Sequence, residues 1–260
     1  MKEDTMAKAH QLDYQLAGDD MQAVIVTLDP REAVQAEAGA MMFLEEGIRV
    51  NTGTGGDFMK GLKRVIAGES FFITTFYNES AGKRKLAFSA PYPGKILTFA
   101  LHETGSMLCQ RDAYLCSAYG IDISVAFTKR LGAGFFGGEG FILQRLSGDG
   151  LAFIHAGGTL LKKTLRARES LRVDTGCLVA FEEQVDYDIE FVGNFKTALF
   201  GGEGLFYATL TGPGVVYMQT LPFSRLADRV IAASGINRGE SRKGGFLQGF
   251  SGLTGGDRGF

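Results

Sequence analysis

"GFILQRLSGDGLAFIHAGG", residues Gly140–Gly158, reads as two strands around a tight turn. In an extended chain Phe141, Leu143 and Arg145 share one face, and Ile142, Gln144 and Leu146 share the other. Ser147–Gly150 supplies the turn, because Gly and Asp tolerate the positive φ that hairpin turns need. A return strand is predicted over Leu151–Ala156. The plan recurs as strand Leu205–Leu210, turn Thr211–Gly214 and strand Val215–Thr220. Each hairpin follows the same acidic phrase, "FFGGEGFILQRL" at Phe135–Leu146 and "LFGGEGLFYATL" at Leu199–Leu210. A fainter copy, "IAGESFFITTF", stands at Ile66–Phe76. Glu139 and Glu203 lie twelve residues before Leu151 and Val215, whereas Glu69 precedes Leu86 by seventeen. The difference assigns an insertion to Asn78–Lys85.

A second shared feature precedes the hairpins. "LDPREAVQAEAG" (Leu28–Gly39) and "LRARESLRVDTG" (Leu165–Gly176) place a leucine four residues before Glu32 or Glu169 and a glycine seven after it. "LCQRDAYLCSAYG" (Leu108–Gly120) follows the pattern with Asp112 and one extra residue before the glycine. Strand units that cannot bury both faces alone must pack on one another. The predicted fold is therefore all-β: three internally repeated β modules forming a pseudo-threefold sandwich or β-helix-like domain, with one or two short helices. A lead-in covers residues 1–20, the domain 21–233 (repeats about 21–107, 108–164 and 165–233), and a flexible Gly-rich tail 234–260. Helices are predicted at Asp57–Gly68, from apolar Phe58, Met59, Leu62, Val65 and Ile66, and at Phe223–Ala233.

Composition narrows the function classes. The 260 residues are 45% hydrophobic, enough for a large core, and 37 glycines with 21 phenylalanines favour strands separated by many turns. A net charge of −2 gives no global field that would draw nucleic acid or membrane. Cys109, Cys116 and Cys177 form no CxxC pair and read as small buried hydrophobes in a reducing compartment. The start, "MKEDTMAKAHQLDYQL", lacks the apolar centre of a signal peptide, and no stretch approaches the roughly 18 apolar residues of a membrane span. A cytoplasmic protein, peripheral to the membrane if it meets one, is expected.

Catalytic signals are sparse. Glu69, Glu139 and Glu203 are candidates for a hard-cation site at a pseudo-threefold axis. The preferred reading is that each caps a turn through neighbouring N–H groups, because a folding device recurs with every unit and an active site rarely does. "GAGFFG" at Gly132–Gly137 matches a dinucleotide fingerprint, yet a strand follows where a helix is required. "NTGTGGDFMKG" (Asn51–Gly61) lacks the GK[ST] ending of a phosphate loop. His10, His102 and His155 show no metal-ligand spacing, and His155 alternates with Phe153 as a core or interface residue would. The rhythm of Leu161–Phe181 is cupin-like without the histidines of a metal cupin. No catalytic residue and no cofactor are assigned.

Surface features remain. Asp57–Ala67, Phe127–Phe136 and Asn194–Phe200 each couple bulky apolar residues to Lys or Arg, as membrane-surface segments do. Phe58, Met59, Leu62, Val65, Ile66, Phe135, Phe136 and Phe200 are the candidate membrane or interface contacts. Burial in the protein's own core competes, at about 1.5–3 kcal/mol per large side chain. Basic clusters Lys83-Arg84-Lys85 and Lys162-Lys163, with Arg166 and Arg168, are candidates for phosphate contact or plain solvated faces.

Several ordered phrases carry a family likeness: "EAGAM" (Glu37–Met41), "APYPGKI" (Ala90–Ile96), "KRLGAGFFGGEGFILQRLSGDG" (Lys129–Gly150), "HAGGT" (His155–Thr159), "RVDTGCLVAF" (Arg172–Phe181), "LFGGEGLFYATLTGPG" (Leu199–Gly214) and "LPFSRLA" (Leu221–Ala227). Spanning about Met21–Ala233, they make the chain resemble the altered-inheritance-of-mitochondria, or mitochondrial biogenesis, family. The resemblance implies a β fold similar to that of the tryptophan RNA-binding attenuator protein, homo-oligomers with a trimer favoured, and no catalytic residues to transfer. Eukaryotic relatives are mitochondrial and linked to inner-membrane organisation, a location this sequence does not share by any transit peptide. RNA binding does not follow from a shared fold. The expectation is a non-enzymatic scaffold or interaction protein at or near a membrane surface, with a small-ligand or RNA binder as the alternative.

Overall fold

The computed structural model describes residues 9–37, 39–51, 73–129, 141–192 and 205–234. It is mostly β, as the alternating strands imply, but the predicted hairpins do not form. Phe141–Ser147 and Leu151–Gly157 do not pair and lie in different sheets, as do Leu205–Thr211 and Gly214–Gln219. Each glycine turn carries the chain from one sheet to another, where both strands find separate partners. Among the described residues all strand ladders are antiparallel, and they form four sheets. Sheet A runs β1 (Asp13–Ala17), β2 (Ala23–Leu28), β7 (Arg84–Ser89), β4 (Met41–Leu44). Sheet B runs β5 (Ile48–Asn51), β6 (Ile73–Asn78), β3 (Ala33–Glu37), β10 (Tyr114–Ala118), β13 (Leu151–Gly157), β8 (Gly94–Ala100). Sheet C runs β11 (Asp122–Lys129), β12 (Phe141–Ser147), β9 (Met107–Gln110), β16 (Leu178–Glu182), β19 (Gly214–Gln219), β14 (Leu160–Leu165). Sheet D runs β15 (Ser170–Asp174), β18 (Leu205–Thr211), β17 (Asp186–Val192). The first of these strands, β1, falls within the stretch read as a lead-in.

One pairing scheme recurs along the chain. The trios β5-β6-β3, β11-β12-β9 and β17-β18-β15 share an order, and so do β4-β7-β2, β10-β13-β8 and β16-β19-β14. In the second set the leading strand always carries a one-residue bulge, between Met41 and Phe43, Tyr114 and Cys116, and Leu178 and Ala180. Sheets B and C each join one trio of either kind, through β3–β10 and β9–β16. Sheets A and D each hold a single trio, with β1 added to the former.

Burial follows from the strand sequences. In β2 (AVIVTL) and β6 (ITTFYN) exposure alternates strictly, so one face enters the core. The sequences of β10 (YLCSA) and β16 (LVAFE) do not alternate, and both strands are covered on both faces. A first core cluster draws Val24, Phe88, Cys116, Phe153 and Val179 from sheets A, B and C, and a second draws Phe141, Phe181, Ile189 and Leu210 from C and D. Phe88, Phe141, Phe153 and Phe181 are fully buried, each contributing about 1.5–3 kcal/mol.

Two compact units divide the chain, Met1–Phe223 and Ser224–Phe260. Helix α1 (Leu101–Thr104) is a single turn in the first, and a 3-10 turn follows at Arg111–Ala113. Helix α2 (Phe223–Ala233) coincides with the segment predicted to be helical. No helix of the described residues is long and apolar enough to cross a membrane. The helix predicted at Asp57–Gly68 lies outside the described residues, as does the tail beyond residue 234.

Candidate interaction surface

Glu69, Glu139 and Glu203 lie outside the described residues, as do Phe58, Met59, Leu62, Val65, Ile66, Phe135, Phe136 and Phe200. The start of the second apolar-basic segment is described. It belongs to β11, where the Phe127 ring stands edge-on to Tyr187 with centroids 5.7 Å apart. Among the described residues no three His, Cys, Asp or Glu side chains group as metal ligands.

The glutamates of the upstream feature do cap turns. Glu32 Oε2 accepts the Asp29 N–H at 2.7 Å, and Glu169 Oε2 accepts the Arg166 N–H at 3.0 Å. The residues before them, Arg31 and Arg168, hold φ of 71° and 65°, the left-handed geometry a closed loop of this size requires. Leu28 and Leu165 anchor these turns in the core. The leucine–glutamate spacing noted in the sequence is thus a turn device.

Three of the quoted phrases meet at one corner of the first unit. Tyr92 of "APYPGKI" stands edge-on to His155 of "HAGGT", with centroids 4.6 Å apart, and lies 5.3 Å from the Phe223 ring of "LPFSRLA". The Gly158 N–H donates to the Pro93 carbonyl, and the Leu221 N–H donates to the Gly157 carbonyl. A Cβ on Gly94 would collide with the Ala156 carbonyl and His155 Nε2, and one on Gly157 with the Leu221 carbonyl. Glycine is required at both places because backbones touch there.

Burial keeps His155 and Tyr92 of the corner neutral near pH 7. Burial pushes His155 down to about 4, against a hydrogen bond at the Tyr92 backbone. Burial, then the charges of Asp112 and Glu37, pushes the Tyr92 phenol up to about 12. Glu37 sits above the usual carboxylate range through partial burial of its carboxyl and the nearby Asp112, with Arg111 opposing. Elsewhere burial drives the Cys109 thiol up to about 12 and Cys116 well above its ordinary value. Cys109 and Cys116 are buried free thiols and serve as packing groups.

The basic clusters are largely engaged inside the chain. Lys83 Nζ pairs with Asp29 at 3.1 Å and Asp13 at 3.2 Å, and Arg84 Nε donates to the Glu46 carbonyl at 2.8 Å. Lys163 pairs with Glu169 at 3.1 Å, and Lys162 lies over the Tyr217 ring at 5.7 Å. A cleft of about 510 Å³ is lined by His10, His102, Asp13 and Asp149 among others. Two of its polar groups face backbone: His10 Nδ1 accepts the Ala33 N–H, and Asp149 Oδ1 accepts the Ala9 N–H.

One edge of sheet A departs from this pattern of satisfied groups. In β4, Met41, Met42 and Phe43 are 42%, 63% and 40% exposed, although the strand is wholly apolar. Strand β7 covers one side of its backbone, and no strand of the described residues pairs with the other. An apolar edge with open N–H and C=O groups is a template for a further strand. Sequence reading passed over this feature, since an unbroken run such as MMFL signals a buried strand. Its signal was the pair of consecutive methionines ahead of "EEG" with no turn residue to shield them.

Comparison with known proteins places the fold in context. The family model described as Mitochondrial biogenesis AIM24 matches residues 14–221. An uncharacterized protein of Streptococcus pyogenes serotype M6 is 28% identical over 215 residues, 78% of this chain and 83% of that one. The X-ray crystal structure of a Streptococcus pyogenes protein is similar with a TM-score of 0.71 at 24% identity, covering 86% of this chain and all of that one. That likeness concerns the fold.

Proposed function

The chain belongs to the mitochondrial biogenesis AIM24 family, and from that premise we propose that it is a non-enzymatic scaffold of the cytoplasm that works by self-association and by docking at a membrane surface. The apolar, half-open β4 edge carries this reading. A wholly apolar strand with one free backbone edge is costly to leave in water, and proteins ordinarily blunt such edges with charge, proline or cover. Met41–Leu44 has neither charge nor proline and no covering strand among the described residues, and is blunted just by its four-residue length and one bulge. The buried His155, Tyr92 and Cys109 add support, because their proton affinities are moved away from neutrality, opposite to what acid–base or thiolate chemistry needs.

Flotation on anionic vesicles tests the membrane part, with wild type beside Leu62→Asp and Phe135→Asp. Loss of flotation in the variants, with circular dichroism unchanged, supports docking through the apolar-basic segments. A wild type that never floats removes the membrane part. Light scattering on the full chain tests self-association, for which a mass above 28.0 kDa is expected.

A further inference from the structure

The recurring pairing scheme leaves one junction unmade. Strand β3 pairs with β10, Ala36 opposite Cys116, and β9 pairs with β16, Cys109 opposite Ala180. Each junction joins a trio of the first kind to a trio of the second. Among the described residues, the trios β17-β18-β15 and β4-β7-β2 have no such partner. Their free strands are β15 and β4.

The register of the missing ladder can be read from the two that exist. Within the first set of trios Ala36 faces Thr74, Cys109 faces Gln144, and Val173 faces Ala208. Thr74, Gln144 and Ala208 each stand five residues after the shared glutamate, so Ala36, Cys109 and Val173 correspond. Across the junction Cys116 and Ala180 are the first residues after the bulge, and Phe43 holds that place in β4. Phe43 therefore belongs opposite Val173, and Leu44 opposite Arg172. Both existing junctions end on the same bond: Tyr119 N–H donates to the Ala33 carbonyl and Glu183 N–H to the Ser106 carbonyl, each at 3.2 Å. Glu46 and Ser170 occupy those places in the third, and an open depression of about 470 Å³ lies there, lined by Glu45, Glu46, Gly47 and Arg84.

Burial separates the open strands from the closed ones. Cys116 and Ala180 are fully buried while Phe43 is 40% exposed. Ser170 and Arg172 of β15 are exposed, whereas every residue of its counterpart β9 is buried. Resting on the reading of the chain as a self-associating scaffold, we propose that β4 of one copy pairs antiparallel with β15 of a second copy, in the register Phe43 opposite Val173. The bond pattern is that of strand addition, in which main-chain groups supply affinity and side chains fix the register. Each copy offers one β4 and one β15, so the contact is head-to-tail and closes as a ring or extends as a filament.

Cysteine pairing reads the register directly. Leu44→Cys and Arg172→Cys are made in separate full-length chains carrying Cys177→Ser, which leaves only the fully buried Cys109 and Cys116. On mild oxidation the mixture should give a disulfide-linked dimer in several-fold higher yield than either chain alone. An off-register mixture of Met42→Cys with Arg172→Cys should not. Light scattering should show the wild type above 28.0 kDa and Phe43→Lys at that mass, with unchanged circular dichroism. If the doubly substituted chain instead closes a disulfide within itself and the mixture gives no excess, β4 and β15 of one copy meet and the proposal fails. A wild type that is monomeric yet floats on vesicles overturns the pairing and leaves membrane docking standing. An oligomer that ignores Phe43→Lys and gives no cross-link overturns it too, while self-association through another face survives.

Discussion

Strands β16 and β4 occupy corresponding places in the pairing scheme and have opposite surroundings. Each carries a bulge after its first residue and pairs antiparallel on one side, β16 with β19 and β4 with β7. Strand β16 also has β9 on its other side, whereas no strand of the described residues pairs with the far side of β4. The residue after Ala180 is Phe181, fully buried, and the residue after Phe43 is Leu44, half-buried. Covering a strand's second edge, more than its sequence, decides how much its side chains contribute. The largest expected effect follows. Phe181→Ala should destabilise the chain by about 3–5 kcal/mol in denaturant titration. Leu44→Ala, at a site already partly wet, should cost about 1 kcal/mol or less when the protein is dilute enough to be monomeric. Equal losses at the two positions would show that β4 is covered after all, and the contrast would fall.

With its β4 edge unpaired, sheet A is held to sheet B by other means, and Asn78 at the end of β6 is the chief polar one. Its Nδ2 donates to the carbonyls of Leu28, Asp29 and Gly82, while Oδ1 accepts from the Ser80 N–H and hydroxyl. The side chain is fully buried. Asn78→Ala would strand buried carbonyls without a donor, for an expected loss of about 2–3 kcal/mol. Hydrogen exchange sharpens the comparison. Amides of β2 and β7 should lose protection in this variant while those of β16 and β19 keep theirs. Uniform loss would mean that the sheets open as one.

The strands around the glycine turns were legible from the chain because alternation and turn residues are local. The hairpin pairing read from them was wrong, since β12 and β13, like β18 and β19, join different sheets. Phe141–Leu146 and Leu151–Ala156 lie within β12 and β13, and the turn at Ser147–Gly150 needs only Gly and Asp. The amphipathic pattern of Phe223–Ala233 likewise sufficed for α2. Partition into four sheets was not legible. The partners at β3–β10 and β9–β16 are separated by some seventy to eighty residues, and nothing in either strand's sequence names the other. For the same reason the corner of Tyr92, His155, Glu37 and Asp112 could not be foreseen, being drawn from separated segments. MMFL misleads because hydrophobic pattern reports what would profit from burial, not what is buried. Glu69, Glu139, Glu203 and all but the start of the apolar-basic segments fall outside the described residues, so the β4 surface rests on residues the sequence did not single out.

His155 gives the comparison a pH axis. It lies in β13 of the closed sheet B, and Ser89 of β7, which cannot titrate in this range, holds the matching place in sheet A. The folded chain holds His155 near 4, below the value of about 6.5 of an exposed histidine. Between those values the unfolded chain binds the extra proton, so stability rises with pH across the window and is lost as pH falls from about 6.5 towards 4. Above it the imidazole is neutral in both states and contributes no slope. His155→Phe should flatten this part of a stability–pH curve measured by denaturant titration. A curve unchanged by the substitution would mean that water reaches the ring.

The smallest effect tests the surface of a closed junction. Arg145 of β12 reaches past β9 to Glu183, just beyond β16, with Nε–Oε1 at 2.6 Å and a further donor on Oε2 at 3.1 Å. Its second nitrogen also donates to the Ser106 hydroxyl at 3.3 Å. The hydrogen bond from Arg145 holds the Glu183 carboxyl below the usual carboxylate range. Both side chains are about two-fifths exposed, at 40% and 44%, so water screens the attraction. A double-mutant cycle with Arg145→Ala and Glu183→Ala should give a coupling of about 0.5–1 kcal/mol that shrinks with added salt. It should also fade with acid, since a depressed carboxylate contributes only above the unfolded value and loses that contribution as pH falls through the folded one. Glu46 holds the matching place beside the open edge and carries no such partner ladder in one copy. Glu46→Ala should therefore leave the stability of the dilute chain within about 0.5 kcal/mol of wild type. A loss as large as that of Glu183→Ala would mean that β4 already has its neighbour.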